Sequence, residues 1–198
     1  MTPGAKSGVP AFLWCDIEST GLEPDAPILE VGLRVTDTGL ATLAERSWVV
    51  PWPANWVRAK RDTVDPVVRD MHDANGLWDE CVAAPSGAAR MGDGWGHQDI
   101  KTGIYQFVDT WALGLPMAGS SVRVDRGWLT SWVGIDSLLH YRIVDISSVR
   151  ILARAWRPDL TALEPVPQGR HRVMPDLDDS IALARFYQQH VFHPVVAS

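Results

Sequence analysis

Two carboxylates one residue apart, Asp16 and Glu18, close the short and nearly continuous apolar run Phe12-Leu-Trp-Cys-Asp-Ile-Glu18. On a strand, side chains i and i+2 point to the same face. The pair would then stand side by side at the strand's C-terminal end, where α/β sheets place their ligands. Burying two like charges together is costly unless a cation neutralises them, so the pair is a candidate metal holder. Spacing alone leaves equally open that both acids mark the exposed end of a strand. A second candidate is His171-Arg-Val-Met-Pro-Asp176. Pro175 suits the first turn of a helix, where its missing N–H costs nothing. His171 would lie on the approach to that helix and Asp176 in its first turn. An imidazole exchanges protons near neutral pH, although a lone His is more often structural. Asp176, with Asp178 and Asp179, equally fits the preference for acids against a helix macrodipole. A third candidate, Asp125 in Gly119-Ser-Ser-Val-Arg-Val-Asp-Arg126, follows a strand and opens a helix. By itself it reads as an ordinary N-cap.

The elements that would carry these residues can be read from periodicity. After the first strand, Thr20-Gly21 punctuates the chain, and the first run suits a strand buried on both faces. Ile28 to Thr36 reads as a second strand and Glu45 to Val50 as a third, with Asp37-Thr-Gly39 as the turn between. Pro66 to His72 is expected to start a short helix, and residues 79–98, rich in Gly, Ala and Pro, a mobile surface loop. From Gln98 to Leu113, residues Ile100, Ile104, Phe107, Val108 and Trp111 fall at helical spacing. Met117 to Val122 predicts a strand, Asp125 to Val133 a helix and Arg142 to Ile146 a strand. Ser147 to Trp156 predicts a helix with Val149, Leu152, Ala153 and Trp156 on its apolar face, and Pro175 to His190 a closing helix. Strands first, then helices interleaved with strands, indicate one mixed α/β domain over residues 11–192 after a flexible tail, 1–10.

Composition narrows the function. The chain has 198 residues, 46% of them hydrophobic and 21% charged, which is globular rather than disordered. Its 24 acidic and 18 basic residues give a net charge of −6. An acidic chain is a poor candidate for coating long nucleic acid, but placed Arg residues or metal ions can still receive a short strand. Cys15 and Cys81 are too few for a disulfide framework and indicate a reducing, cytoplasmic compartment. No apolar run approaches the roughly 18 residues of a membrane span, and the first ten residues lack the apolar core of a secretory signal. Ten Trp is high for this length and reads mostly as core and loop anchoring.

In combination, Asp16-Ile-Glu18-Ser-Thr20-Gly21-Leu22, Asp125 and His171-x4-Asp176 closely resemble the DEDDh family of 3′-to-5′ exonucleases, above all its oligoribonuclease branch. Gly119-Ser-Ser121, His140-Tyr141-Arg142, Asp145-Ile-Ser147 and Asp179-Ser180-Ile181 are similar to that branch too, and the likeness spans about residues 11–192. The resemblance implies a ribonuclease H-like α/β fold, with a mixed central sheet flanked by helices. It implies metal-dependent removal of nucleoside 5′-monophosphates from the 3′ end of short single-stranded RNA. Asp16, Glu18, Asp125 and Asp176 would hold two divalent ions, and His171 would be the general base. An all-carboxylate site with open positions favours Mg²⁺ or Mn²⁺ over Zn²⁺. Pro175 stands where family members often carry the first of two acids, so Asp176 is the ligand.

Substrate contacts carry over less evenly. Leu22 matches the family's apolar wedge between terminal bases, and His72 a His beside the nucleotide. Ser121, Ser147, Tyr141 and Arg142 match residues that grip the far end of a very short strand, the Tyr-Arg pair coming from the partner in a homodimer. Tyr141 packed against the sheet is the alternative. The pattern departs at Val67, where a Trp is expected five residues before the His, and around Pro51 to Arg61 and the Gly-rich stretch 85–96. Trp52 or Trp56 are candidates for a replacement stacking surface. The competing function is a 3′-to-5′ exonuclease for DNA ends, of proofreading or repair type. A binding module without chemistry is disfavoured because all four acids and His171 are present, and a phosphomonoesterase using the same carboxylates is a third reading.

Overall fold

The computed structural model describes residues 8–23, 25–84 and 97–192. Three strands open the chain: β1 (Phe12–Ser19), β2 (Ile28–Thr36) and β3 (Thr42–Val49). Three short helices follow, α1 (Ala54–Arg61), α2 (Pro66–Ala74) and α3 (Leu77–Ala83). The second half alternates: α4 (Gln98–Trp111), β4 (Met117–Gly119), α5 (Arg123–Val133), β5 (Ile143–Asp145), α6 (Ile146–Trp156) and α7 (Val173–Tyr187). The sheet order is β3-β2-β1-β4-β5. The first three strands pair antiparallel, while β1–β4 and β4–β5 pair parallel. This is the mixed sheet flanked by helices that the sequence leads one to expect. Among the described residues no helix is long and apolar enough to cross a membrane.

Strand alternation divides β1 between two layers. Leu13, Cys15 and Ile17 enter one apolar cluster with Ile104, Phe107 and Val108 of α4 and Trp128 and Leu129 of α5. Trp14 joins a second cluster with Ile146 and Ala153 of α6 and Leu177 and Ile181 of α7. Asp16 and Glu18 share Trp14's parity and therefore the face that α7 covers. Gly32 lies opposite Asp16 in the β1–β2 register. A Cβ there would sit 2.7 Å from the Cβ of Val173, closer than real atoms approach, so this glycine lets the start of α7 reach the acid-bearing part of the sheet.

Several expected boundaries move. β3 begins at Thr42, and β4 ends at Gly119, because Ser121 takes a positive φ of 57° that no strand accommodates. α5 starts at Arg123 with Val122 as its N-cap, so Asp125 lies inside the first turn and is not the cap. The expected loop 79–98 is helical at its start, where 79–83 belong to α3, and α4 begins at Gln98; residues 85–96 lie outside the described residues. The tail expected over 1–10 falls mostly outside them as well, with residues 8–10 in no regular element. α1 is unforeseen. Its apolar positions are few, and Val57 alone is fully buried, packing with Leu29 and Trp78 in a third cluster. The expected apolar face of α6 is out of phase. Ile146 and Ala153 are buried and Val149 half-buried, whereas Leu152 and Trp156 are exposed.

Candidate active site

The C-terminal end of β1 opens into a cleft of about 260 Å³ between α2 and α5. Asp16 and Glu18 line it from the strand, Asp125 from α5, Leu22 from its lip, and Val68 and Met71 from α2. Glu18 is joined from the other side by His171 and Asp176, and one donor atom from each of the three lies within 4.8 Å of the others. The five residues singled out for chemistry thus meet around one strand end. Asp176 stands in the first turn of α7, as its proline signal indicates, and His171 just before Arg172, the N-cap.

The electrostatics follow from burial. Glu18 and Asp125 are buried, and Asp16 is half-buried. Loss of water lifts the Asp16 carboxyl well above its ordinary range, and the charges of Asp125, Glu18, Asp176 and Glu30 add to the shift. Burial, then Asp176 and Glu30, push Glu18 up to about 8, against the opposing pull of Arg172. Burial raises Asp125 to about 7 although backbone amides, that of Ile17 among them, donate to it. Asp176 is raised by burial too, with His171 pulling the other way. Carboxyls that resist ionisation together need positive charge. The carboxylate oxygens of Asp16, Glu18, Asp125 and Asp176 form a donor set that suits a hard divalent cation, with the His171 imidazole beside it.

The expected substrate residues separate into four groups. Leu22 is 87% exposed at the cleft's lip. Ser121 and Ser147 are brought together, since the Ser121 amide donates to Ser147 Oγ at 3.1 Å and to Asp145 Oδ1 at 3.2 Å. Asp145 also caps α6, accepting from the Ser147 amide at 2.8 Å. His72 does not reach the cleft surface. It is fully buried, with Nε2 3.0 Å from the carbonyl of Ser19 and 3.9 Å from Glu18 Oε2. Tyr141 is 71% exposed with the Arg142 guanidinium over its ring at 4.8 Å, so it is not packed against the sheet, and neither residue lines the cleft.

Val67 is exposed and off the cleft wall, and its helix presents Val68 and Met71 there instead. Trp52 and Trp56 stack on each other at 3.9 Å and pack beside the α1–α3 cluster, away from the cleft lining. Unforeseen members are Trp128 on the cleft wall and, behind the acids, Glu30 and Arg172. Glu30 carried a legible signal: a charged residue within Ile-Leu-Glu-Val-Gly-Leu, a strand buried at every position.

Comparison with known proteins finds relatives of this chain in sequence and in fold. The chain is 36% identical over 188 residues to an oligoribonuclease of Streptomyces avermitilis, covering 92% of this chain and 88% of that protein. It is 37% identical over 185 residues to one of Streptomyces griseus, with 92% and 87% covered. The oligoribonuclease of Salmonella typhimurium is 32% identical over 183 residues, with 90% and 94% covered. No protein-family model matches the chain. Among solved structures, the fold is similar to the zinc-bound E. coli exonuclease I–single-stranded DNA complex, with a TM-score of 0.65 and 14% identity over 94% of this chain. E. coli exonuclease I with a dT13 oligonucleotide gives a TM-score of 0.63 and 16% identity over 91%. The chain spans 42% of both exonuclease I chains.

Proposed function

Because this chain belongs to the oligoribonuclease family, we propose that it is a 3′-to-5′ exoribonuclease that shortens short single-stranded RNA and releases nucleoside 5′-monophosphates. The observation that carries this reading is the meeting of Asp16, Glu18, Asp125, Asp176 and His171 at one strand end. The four carboxylates would hold two divalent ions, Mg²⁺ or Mn²⁺, whose chemistry when bound would be activation of a water and stabilisation of the leaving oxygen. His171 is exposed beside Glu18 and Asp176 and accepts the water's proton. Leu22 at the lip, with Val68 and Met71 opposite, receives the terminal base against aliphatic surface. The hydroxyls of the Ser121–Ser147 pair, beside the start of α6, are the donors offered to a phosphate at the far end of the strand.

The second strand end is completed by another copy of the chain. Tyr141 and Arg142 are exposed and do not line their own cleft, and α6, which follows them in the chain, leaves Ile151, Leu152 and Trp156 exposed. We place these on the contact of a homodimer in which Tyr141 and Arg142 serve the neighbouring cleft. Both cysteines are buried and unpaired, in keeping with a cytoplasmic protein.

The direct test is substitution of the acids. Asp16→Ala or Asp176→Ala should abolish hydrolysis of an RNA dinucleotide while the circular-dichroism spectrum is kept. Near-normal turnover by Asp16→Ala at saturating metal would overturn the assignment. A second reading, action on DNA 3′ ends, draws on the likeness in fold to exonuclease I bound to DNA oligonucleotides. Faster removal from a DNA strand than from the matching RNA would favour it.

A further inference from the structure

Burial does not hold His171 in place. The residue is exposed, and it follows a stretch, 165–170, that is almost wholly exposed and without regular structure. Its backbone sits at a φ of +50°, in the left-handed region that residues with a Cβ rarely adopt. Such a conformation persists only where the surroundings over-determine it. Two ties do so. The Asn75 side-chain amide donates to the carbonyl oxygen of His171. The next residue, Arg172, is gripped on both edges of its guanidinium. Its Nε and Nη2 meet Glu30 at 2.8 and 3.1 Å, and its Nη1 and Nη2 meet Glu80 at 2.8 and 2.7 Å.

Both ties lead to rigid elements of the site. Glu30 is on β2 in direct register with Glu18 on β1, so the Arg172 fork is referenced to the ladder that presents the acids. Glu80 is on α3. Asn75 ends α2, and its own Oδ1 accepts from the Leu77 amide at 3.0 Å where α3 begins. The α2–α3 corner therefore carries one wall of the cleft, through Val68 and Met71, and also the anchors of the His171 backbone.

We propose that Asn75 and the Arg172–Glu80 pair are positioning residues that fix His171 against the acids, so that the proton acceptor is placed by the same helical corner that receives the base. The inference rests on the reading of His171 as the proton acceptor. A planar fork between two carboxylates is a geometry that Arg provides and Lys cannot. A misplacement of about 1 Å in a catalytic group can cost on the order of 10²-fold in rate.

The test is a double-mutant cycle on an RNA dinucleotide. Asn75→Ala, Arg172→Lys and Glu80→Gln are each made alone and with His171→Ala. Thermal midpoint and Mn²⁺ affinity are measured alongside. Glu80 is half exposed, so Glu80→Gln keeps the test open if another variant fails to fold. Each single change should lower kcat by about 10- to 100-fold with KM and Mn²⁺ affinity unchanged. In the His171→Ala background the further loss should vanish, because residues acting through one another are not additive. A full loss that persists without His171, or singles with unchanged kcat, would overturn the proposal while leaving the proton-acceptor role standing. Normal turnover by His171→Ala alone would instead remove that role, and this inference with it.

Discussion

Four carboxyl groups share one strand end, and the nearby guanidinium of Arg172 is already engaged by Glu30 and Glu80. The consequence is a pH dependence of the opposite sign to ordinary acid denaturation. An unfolded chain ionises Asp and Glu near pH 4. In the fold Glu18 is pushed up to about 8 and Asp125 to about 7. Between those limits the metal-free fold holds protons that the unfolded chain has released, so stability falls as pH rises. The melting temperature of chelator-treated protein is expected to drop from about pH 5 to about pH 8, and saturating Mg²⁺ or Mn²⁺ should flatten the slope. Asp16→Asn should raise the metal-free melting temperature at the alkaline end. A metal-free melting curve that rises with pH would mean that the carboxyls are paired in some other way. The Asp16–Glu18 pair was legible because a two-residue period fixes a common face. Asp125 was legible as a residue but not as a position, since an acid suits both a cap and a first turn, and Asp125 stands three residues past the cap, Val122. Arg172 was not legible at all. Its role depends on Glu30 and Glu80, which are 142 and 92 residues away in sequence.

At the scale of elements, the site exists because α7 can approach β2 closely enough to bring Asp176 beside Glu18. Gly32 is the condition for that approach, facing Val173 and lying opposite Asp16. Gly32→Ala should push the start of α7 outward. Isothermal titration should then show weaker Mn²⁺ binding, with turnover reduced at subsaturating metal and partly recovered at saturation. Unchanged metal affinity would show that α7 yields without moving Asp176. The strands and long helices were legible because their periods repeat over enough residues to fix a face. The short helices α1 and α3, of 8 and 7 residues, carry too few apolar positions to do so. The apolar residues of α6 fit two overlapping stripes, and the sequence stripe of Val149, Leu152, Ala153 and Trp156 differs from the buried one by about one residue. The sheet covers only the second stripe, which leaves Leu152 and Trp156 outward.

For the whole molecule, α6 leaves Ile151, Leu152 and Trp156 exposed among the described residues, and the proposed dimer would cover them. A mixed dimer of Tyr141→Ala and Asp16→Ala chains should retain one competent cleft, in which intact acids meet the partner's intact Tyr141. Activity near half of wild type is expected, from homodimers that are each impaired. Sedimentation showing a fully active monomer would contradict the arrangement. The proposed activity of the carboxylate cleft is removal of nucleotides from the 3′ ends of short RNA. It is tested most directly by one series, in which 5′-labelled RNA and DNA from the dinucleotide to long single strands are digested with divalent metal and with chelator. Stepwise loss from the 3′ end is expected, with rates per end highest for the shortest RNA and silence under chelator. Long strands degraded faster per end than dinucleotides, or hydrolysis that survives the chelator, would contradict it.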